Sequence, residues 1–178
     1  AELMLHAVLQ QLAAVRPDAR VVLQSNSSSR YVARAKVGAY QKAGLRFLGI
    51  EFNAYSHWLP KKVRNWLITQ YGIVTEADIQ VVLDASGFAY GDQWPLKFLQ
   101  NTAREVIRFK EAGKPFVFMP QAFGPFSSDE SKAAMRDIIT HARLVFVRDP
   151  VSLEHVKSCI DVLPDSVVLT PDFTVGLK

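Results

Sequence analysis

Cysteine is nearly absent from this sequence of 178 residues, which contains one, Cys159. A single thiol can neither form an internal disulfide nor pair with a second thiol around zinc, and this is typical of proteins from a reducing compartment. We expect Cys159 to fill the core.

Long apolar runs are also missing, since no stretch approaches the roughly 18–20 residues that a membrane helix needs. Glu2 lies where a secretory signal peptide would carry positive charge. The sequence therefore predicts a soluble, cytoplasmic protein without a transmembrane segment.

Several motifs that bind cofactors or metals are not present. There is no Gly-x-Gly-x-x-Gly or Walker pattern, which argues against nucleotide binding of those types, and no Gly-x-Ser-x-Gly elbow of an α/β-hydrolase. The histidines stand on separate segments without metal-ligand spacing, at His6, His57, His141 and His155. We expect neither a metal nor a bound cofactor.

Charge is nearly balanced, since 21 Lys and Arg against 17 Asp and Glu leave a net charge of +4. The basic side chains are scattered rather than gathered in one block, so no nucleic-acid partner is expected. A pI near 9.3 modestly favours anionic small molecules.

What the sequence does contain is a regular alternation of strand and helix patterns. The predicted strands are Val21–Leu23, Leu45–Ile50, Ile79–Leu83, Pro115–Met119, Leu144–Val147 and Val167–Leu169. The predicted helices are Ala1–Val15, Val32–Ala43 ended by Gly44, Pro60–Gln70 ended by Gly72, Pro95–Ala112, Ser127–His141, and one that opens at Asp149-Pro150. This order predicts one doubly wound α/β domain over residues 1–178, with a mostly parallel sheet between helices. Ile79–Leu83 is expected to be a central strand buried on both faces.

Polar residues follow several of these strands, at the sheet edge where such folds bind ligands. The loop of residues 84–94 contains two Gly together with Asp84, Asp92, Ser, Tyr and Gln, which can bring amides and carboxylates close to a ligand. A purely structural interpretation stays open, in which the two aspartates cap turns while Phe88 and Trp94 fill the core.

Two further loops add candidates at the same edge. Gln121 could hydrogen-bond to a sugar hydroxyl and Phe123 could stack on a sugar face, whereas Phe126 is expected to pack. Arg148 lies where a strand ends and a helix begins, an arrangement that suits a phosphate or carboxylate unless Arg148 pairs with a neighbouring Asp. Ser152 would cap that helix or contact the same anion.

Four segments together resemble the successive motifs of the polysaccharide pyruvyl transferase family. They are Asp84-Ala85-Ser86-Gly87-Phe88-Ala89-Tyr90-Gly91-Asp92-Gln93-Trp94, Pro120-Gln121-Ala122-Phe123-Gly124-Pro125-Phe126, Val147-Arg148-Asp149 with Ser152, and Pro171-Asp172-Phe173. They follow the family's order and span nearly the whole chain. The opening residues 1–5 also resemble the helix that follows a Gly-Asn-x-Gly turn in the family, so we expect that turn and a first strand to be missing.

The resemblance implies that the chain is the Rossmann-like N-terminal half of a glycosyltransferase-B-like fold. The second domain of that fold would be missing here, and with it a His that belongs to the site. The resemblance implies transfer of the pyruvyl group from phosphoenolpyruvate to two hydroxyls of a sugar or lipid-linked oligosaccharide, in the synthesis of exopolysaccharide or cell-wall polymers. It is compatible with a homo-oligomer. The implied catalytic residues are Asp84, Asp92 and Arg148; the implied substrate-binding residues are Ser86, Gly87, Tyr90, Gln93, Gln121, Gly124 and Ser152. The isolated chain is expected to be inactive.

Two alternatives stay open at this point. The chain could be half of a sugar-nucleotide-dependent glycosyltransferase or epimerase of the same architecture, or a non-catalytic glycan-binding domain that retains the fold. Phosphate release from phosphoenolpyruvate would separate the transferase from both.

Overall fold

The computed structural model of the chain describes residues 2–24, 31–44, 46–47, 50–51 and 56–176. Two compact units form within it: residues 16–80 make up the smaller unit, and residues 1–15 together with 81–178 make up the larger one. A single Rossmann-like domain over residues 1–178 stays a prediction.

Helices and strands alternate along most of the described chain. The helices are α1 (Glu2–Val15), α2 (Tyr31–Lys36), α3 (Lys61–Tyr71), α4 (Leu96–Glu111), α5 (Asp129–His141) and α6 (Pro150–Lys157), with short 3₁₀ turns at Glu76–Asp78 and Phe173–Gly176. The strands are β1 (Val22–Leu23), β2 (Tyr40–Lys42), β3 (Arg46–Phe47), β4 (Ile50–Glu51), β5 (Ile73–Val74), β6 (Val82–Asp84), β7 (Phe116–Gln121), β8 (Leu144–Val147) and β9 (Val167–Leu169). None of the described helices is long and apolar enough to cross a membrane.

The larger unit is built on a parallel sheet with the strand order β6-β7-β8-β9. On one side of this sheet α4 and α5 pack together over β7, where Phe116 meets Phe109 of α4 edge to face. Phe118, Val106 and Ile138 are fully buried in the same layer. Each such side chain contributes about 1.5–3 kcal/mol when it leaves water, so this layer is the main core of the unit.

The other face of the sheet is covered less completely. Leu83 of β6 and Met119 of β7 line a cavity of about 210 Å³ together with α1 residues such as Val8. Because this space stays open, Leu83 keeps 37% of its surface exposed. The predicted burial of Ile79–Leu83 on both faces is therefore wrong, and the strand itself begins only at Val82.

The smaller unit contains a second parallel sheet, in the order β1-β2-β5, and the antiparallel pair of β3 and β4. The predicted helix Val32–Ala43 is wrong in its second half, because Gly38 takes a positive φ of 71° and turns the chain into β2. The predicted strand Leu45–Ile50 corresponds in part to β3 and the start of β4, and residues 45 and 48–49 lie outside the described residues.

The ends of the helices explain most of the boundaries that the sequence predicts correctly. Gly72, at a φ of 65°, closes α3 in the left-handed conformation, and Pro95 precedes the first turn of α4. Asp149 caps α6 by accepting a hydrogen bond from the backbone N–H of Ser152 at 2.8 Å. The predicted cap of α5 is wrong by one residue, since Ser128 caps that helix.

The chain is thus α/β and Rossmann-like, with parallel sheets and helices, as predicted. Cys159 is buried, which confirms its predicted place in the core.

Candidate functional site

The loops that follow β6, β7 and β8 lie at the same edge of the larger sheet, as expected for parallel strands. Backbone hydrogen bonds join them directly. The Ala122 N–H donates to the Gly87 carbonyl at 3.1 Å, and the Arg148 N–H donates to the Gln121 carbonyl at 3.1 Å. The three loops therefore form one continuous surface.

A cavity of about 370 Å³ opens at this edge. Its walls come from the loop after β6, from the residue after β8, from the segment after β9 and from the first turn of α1: Ser86, Gly87, Phe88, Arg148, Asp172, Thr174, Leu3 and Met4. The Arg148 guanidinium makes the cavity attractive to an anion.

Arg148 is held at the cavity by a carboxylate. Its Nη1 lies 3.5 Å from Oδ2 of Asp172, and about a third of each side chain is exposed (34% and 33%). Asp172 Oδ1 accepts hydrogen bonds from the Thr174 N–H at 3.0 Å and its hydroxyl at 2.8 Å. The Thr174 N–H is the main cause that lowers the pKa of Asp172, and Arg148 adds to it, so this carboxylate stays charged at neutral pH. A guanidinium has five N–H donors, and within the described residues Asp172 engages one of those on Arg148, at Nη1.

Asp84 organises the loop after β6. One of its carboxylate oxygens accepts hydrogen bonds from the Ser86 N–H at 2.9 Å and from the Ser86 hydroxyl at 2.5 Å, and the other accepts one from the Tyr90 hydroxyl. Tyr90 is buried between the rings of Phe98 and Phe123. Burial, reinforced by the adjacent Asp84 carboxylate, raises the pKa of Tyr90 well above its usual value, so its hydroxyl remains a donor.

Asp92 lies apart from the cavity. It is exposed, and its Oδ2 accepts hydrogen bonds from the Ser127 N–H at 2.8 Å and the Ser127 hydroxyl at 2.5 Å. These two hydrogen bonds link the loop after β6 to Ser127, the residue before the cap of α5. Because the Ser127 hydroxyl is bonded to Asp92, Ser127 does not cap the helix itself. Gln93, next along the chain, is also exposed.

Gln121 is fully buried at the end of β7. Neither its Oε1 nor its Nε2 has a hydrogen-bond partner within the described part of the chain. A buried amide without partners is energetically unfavourable, so this side chain is poised to accept a partner that the protein does not provide.

The loop after β7 packs tightly against α6. Gly124 has a φ of 84°, and a Cβ placed there would lie 2.5 Å from the Cβ of His155. The Ser152 hydroxyl donates to Asp149 at 2.8 Å and accepts from the Phe123 N–H at 3.0 Å, so it is engaged within the protein. These contacts fix the loop rather than leave its polar atoms open to the cavity.

The structure thus brings together part of the predicted set. Ser86, Gly87 and Arg148 line the cavity, with Asp84 and Tyr90 bonded behind Ser86; the remaining predicted residues are not among the lining, namely Asp92, Gln93, Gln121, Gly124 and Ser152. Their roles stay predictions.

For three aromatic residues the structure decides against an interpretation that the sequence left open. Phe123 is buried between neighbouring rings, so it has no face for a sugar. Phe88 and Trp94 are about half exposed instead of filling the core. Phe126 is buried, as expected.

Sequence reasoning did not assign five residues of the cavity wall to the site: Leu3, Met4, Phe88, Asp172 and Thr174. The signal for Asp172 was available, because its motif follows β9 and the carboxyl end of that strand must lie beside those of β6, β7 and β8. Within the described residues, no group of His, Cys, Asp and Glu is arranged to hold a metal ion.

Comparison with known proteins supplies the family. No curated protein and no solved structure matches the chain. The family model described as polysaccharide pyruvyl transferase matches residues 1–178. Because this match covers the whole chain, the chain belongs to the polysaccharide pyruvyl transferase family.

Proposed function

We propose that this protein transfers the pyruvyl group of phosphoenolpyruvate to two hydroxyls of a sugar, forming a pyruvate ketal, and that the cavity at Arg148 binds the donor. The observation that carries the proposal is a partly exposed guanidinium in an open cavity at the sheet edge. Phosphoenolpyruvate carries a phosphate and a carboxylate. The planar donors of a guanidinium are well suited to bind both.

The proposed reaction needs no covalent bond between these residues and the substrates. Protonation of the donor's methylene carbon makes the adjacent carbon oxocarbenium-like. The two sugar hydroxyls each form a C–O bond to that carbon and give up their protons, while the bond between that carbon and the phosphate oxygen breaks. One hydroxyl proton replaces the one taken up by the methylene carbon, and the other leaves on the phosphate. Arg148 would balance the charge that grows on the departing phosphate. The proton for the methylene carbon would come from a residue outside the cavity wall described above.

Asp84 and Ser86 are the groups best placed to orient the acceptor hydroxyl. Ser86 lines the cavity and its hydroxyl donates to Asp84, so a proton could pass from an acceptor through Ser86 toward the carboxylate. Asp92 has no such path, because neither Asp92 nor Ser127, to which its carboxylate is bonded, lines the cavity. We therefore assign Asp92 to the positioning of loops rather than to the reaction.

The acceptor would be a sugar or lipid-linked oligosaccharide of exopolysaccharide or cell-wall polymer synthesis, modified in the cytoplasm where phosphoenolpyruvate is made. A homo-oligomer is compatible with this assignment. A sugar-nucleotide-dependent transferase or epimerase, or a glycan-binding domain, would not release phosphate from phosphoenolpyruvate. Phosphate release by the full-length protein with lipid-linked acceptors therefore tests the proposal directly.

Arg148→Ala should lower kcat/KM for phosphoenolpyruvate by about 100-fold or more, because charged hydrogen bonds contribute about 1.5–3 kcal/mol each. Arg148→Lys keeps the charge and should retain part of the activity. Arg143 is an exposed arginine at the opposite end of β8, so Arg143→Ala is the matched control and should leave the rate unchanged. Wild-type activity in Arg148→Ala would remove the cavity from the mechanism.

A further inference from the structure

The polar side chains in the wall of the cavity at Arg148 present mainly hydrogen-bond acceptors. The Ser86 hydroxyl donates its proton to Asp84 at 2.5 Å, and the Thr174 hydroxyl donates its proton to Asp172 at 2.8 Å. A hydroxyl has one proton and two lone pairs, so both oxygens keep only acceptor capacity for a ligand. The backbone N–H groups of Ser86, Arg148 and Thr174 are engaged as well. Among the lining side chains of the described chain, Arg148 is therefore the one left with protons to donate.

Asp172 adds an acceptor that carries negative charge. Its Oδ1 accepts both hydrogen bonds from Thr174, whereas the described residues give its Oδ2 a single contact, with Arg148 Nη1 at 3.5 Å. A carboxylate oxygen has two lone pairs, and this distance is longer than that of an ordinary charged hydrogen bond. Oδ2 therefore keeps room for a donor from a ligand in the cavity.

Another arginine–aspartate pair of the chain is more closed. Arg64 Nε donates to both carboxylate oxygens of Asp78, at 3.2 and 3.1 Å, and the Thr75 hydroxyl donates to Asp78 Oδ2 at 2.9 Å. The side chains of that pair are 17% and 21% exposed, against 34% and 33% for Arg148 and Asp172. The pair at the cavity is thus the more open of the two, and both of its partners can bind a ligand.

A ligand bound to Arg148 lies close to Asp172. Both residues line the cavity and contact each other, so a ligand oxygen that accepts from the guanidinium lies within a few ångströms of the carboxylate. The Thr174 N–H, together with Arg148, lowers the pKa of Asp172, so the carboxylate stays charged and repels an ionised oxygen. A ligand oxygen that carries a proton donates to Oδ2 instead. Arg148 therefore attracts anions in general, and Asp172 selects among them.

We propose that Asp172 makes the cavity selective for a phosphate that carries a proton, whose O–H donates to Asp172 Oδ2 while its ionised oxygens bind Arg148. The inference rests on the proposed function in one respect. In that reaction one proton of the acceptor hydroxyls leaves on the released phosphate, whereas the phosphate group of the donor is largely ionised at neutral pH. Asp172 accepts a hydrogen bond from the departing phosphate without taking its proton. Because this contact is not made to the ionised donor, it favours the step in which phosphate leaves.

The test compares phosphate with sulfate, which has the same tetrahedral shape. At neutral pH phosphate carries at least one proton, and sulfate carries none. The full-length protein, isotope-labelled at its arginine nitrogens, is titrated with each anion at the same pH and ionic strength. The Arg148 Nε–H signal in NMR spectra, assigned by its absence in Arg148→Lys, gives each Kd. We expect phosphate to bind about 10-fold or more tightly than sulfate, because a site with an unpaired acceptor rejects a ligand that lacks the donor.

Asp172→Asn keeps the shape of the side chain and an acceptor oxygen but removes the charge. We expect the preference for phosphate to fall to about 2-fold or less, mainly because sulfate binds more tightly once the repulsion is removed. Asp172→Glu keeps the carboxylate and should retain a preference for phosphate. Asp165→Asn is the matched control, since Asp165 is exposed and precedes β9, whereas Asp172 follows that strand. Its preference should equal that of the wild type.

The proposal is overturned if neither anion shifts the Arg148 signal, or if the wild type binds both anions equally. Equal weakening of both anions in Asp172→Asn would also overturn it, since the carboxylate would then only position Arg148. Loss of the preference in Asp165→Asn would do the same. The wild-type comparison needs no variant, so the test stands even where Asp172→Asn does not fold.

Phosphate release from phosphoenolpyruvate, measured on the same protein, separates this inference from the proposed function. Release together with equal binding of phosphate and sulfate would refute the selectivity alone. Selective binding of phosphate without any release would refute the proposed function alone. A sugar hydroxyl is the competing donor to Asp172 Oδ2, and it predicts no preference between the two inorganic anions.

Discussion

At the scale of single residues, Gln121 holds both of its amide atoms inside the protein without a partner in the described chain. Gln121→Met keeps the volume and removes the polar atoms, so we expect the free energy of unfolding to stay constant or rise by about 1 kcal/mol. Chemical denaturation of the free protein measures this. Gln121→Ala, which opens a cavity, serves as the comparison and should lose about 2–4 kcal/mol. A loss above about 1 kcal/mol in Gln121→Met would mean that the amide is bonded after all.

Tyr90 is a second residue whose environment gives a clear expectation. Tyr90→Phe removes the hydrogen bond to Asp84 and should lower the free energy of unfolding by about 1–2 kcal/mol at neutral pH. The folded pKa of Tyr90 is raised, so the unfolded chain loses this proton first, and the wild type loses stability as the pH rises above about 10.

The advantage of the wild type over Tyr90→Phe should therefore shrink in unfolding experiments at alkaline pH. Tyr71→Phe is the control for the loss of a tyrosine hydroxyl, since Tyr71 is 55% exposed and its replacement should leave the free energy of unfolding unchanged at neutral pH. A difference between wild type and Tyr90→Phe that stays constant up to strongly alkaline pH would contradict the assigned pKa direction.

At the scale of elements, the loop after β7 and α6 are fitted closely at Gly124. Gly124→Ala combines an unfavourable positive φ with a Cβ 2.5 Å from that of His155, so we expect a loss of about 2–4 kcal/mol in thermal or chemical unfolding. Gly113 has a φ of 69° but nothing within 4 Å of an added Cβ. Gly113→Ala should lose only about 1 kcal/mol, and equal losses in the two variants would exclude the clash as the cause.

Prediction from sequence worked best for elements with strong periodicity and clear caps. The bounds predicted for α4, Pro95–Ala112, differ from the observed ones by one residue at each end. The short strands β2 and β5 were missed, because two or three residues are too few for a period and the turn at Gly38 was hidden inside a helical pattern.

The site was predictable only to the level of the sheet edge. Parallel strands require that the loops after β6, β7 and β8 meet, and Arg148 follows from that rule. Which side chains turn toward the cavity depends on bonds within and between loops, such as those of Asp92 with Ser127 and of Tyr90 with Asp84. No periodicity in the sequence encodes those pairs.

At the scale of the whole molecule, the smaller unit interrupts the larger one in sequence. Val15 and Leu83 line one cavity, so the two ends of the larger unit's chain lie close enough to be joined. Replacement of residues 16–80 by a short Gly/Ser linker should leave a unit that unfolds in one cooperative transition by circular dichroism. Further removal of residues 1–15 should lower its melting temperature, since Met4 and Ala7 of α1 are buried. A gradual, non-cooperative transition in the first variant would show that the larger unit depends on residues 16–80.

The interrupted order also bears on synthesis at the ribosome. The helix α1 is complete at Val15, whereas β7, beneath it in the folded unit, ends only at Gln121. At roughly 5–20 residues per second, about 100 residues of translation delay the burial of α1 by about 5–20 s. During that interval the nascent chain displays the apolar side of α1 without its sheet, which makes this stretch a natural substrate for chaperones that act on emerging polypeptides.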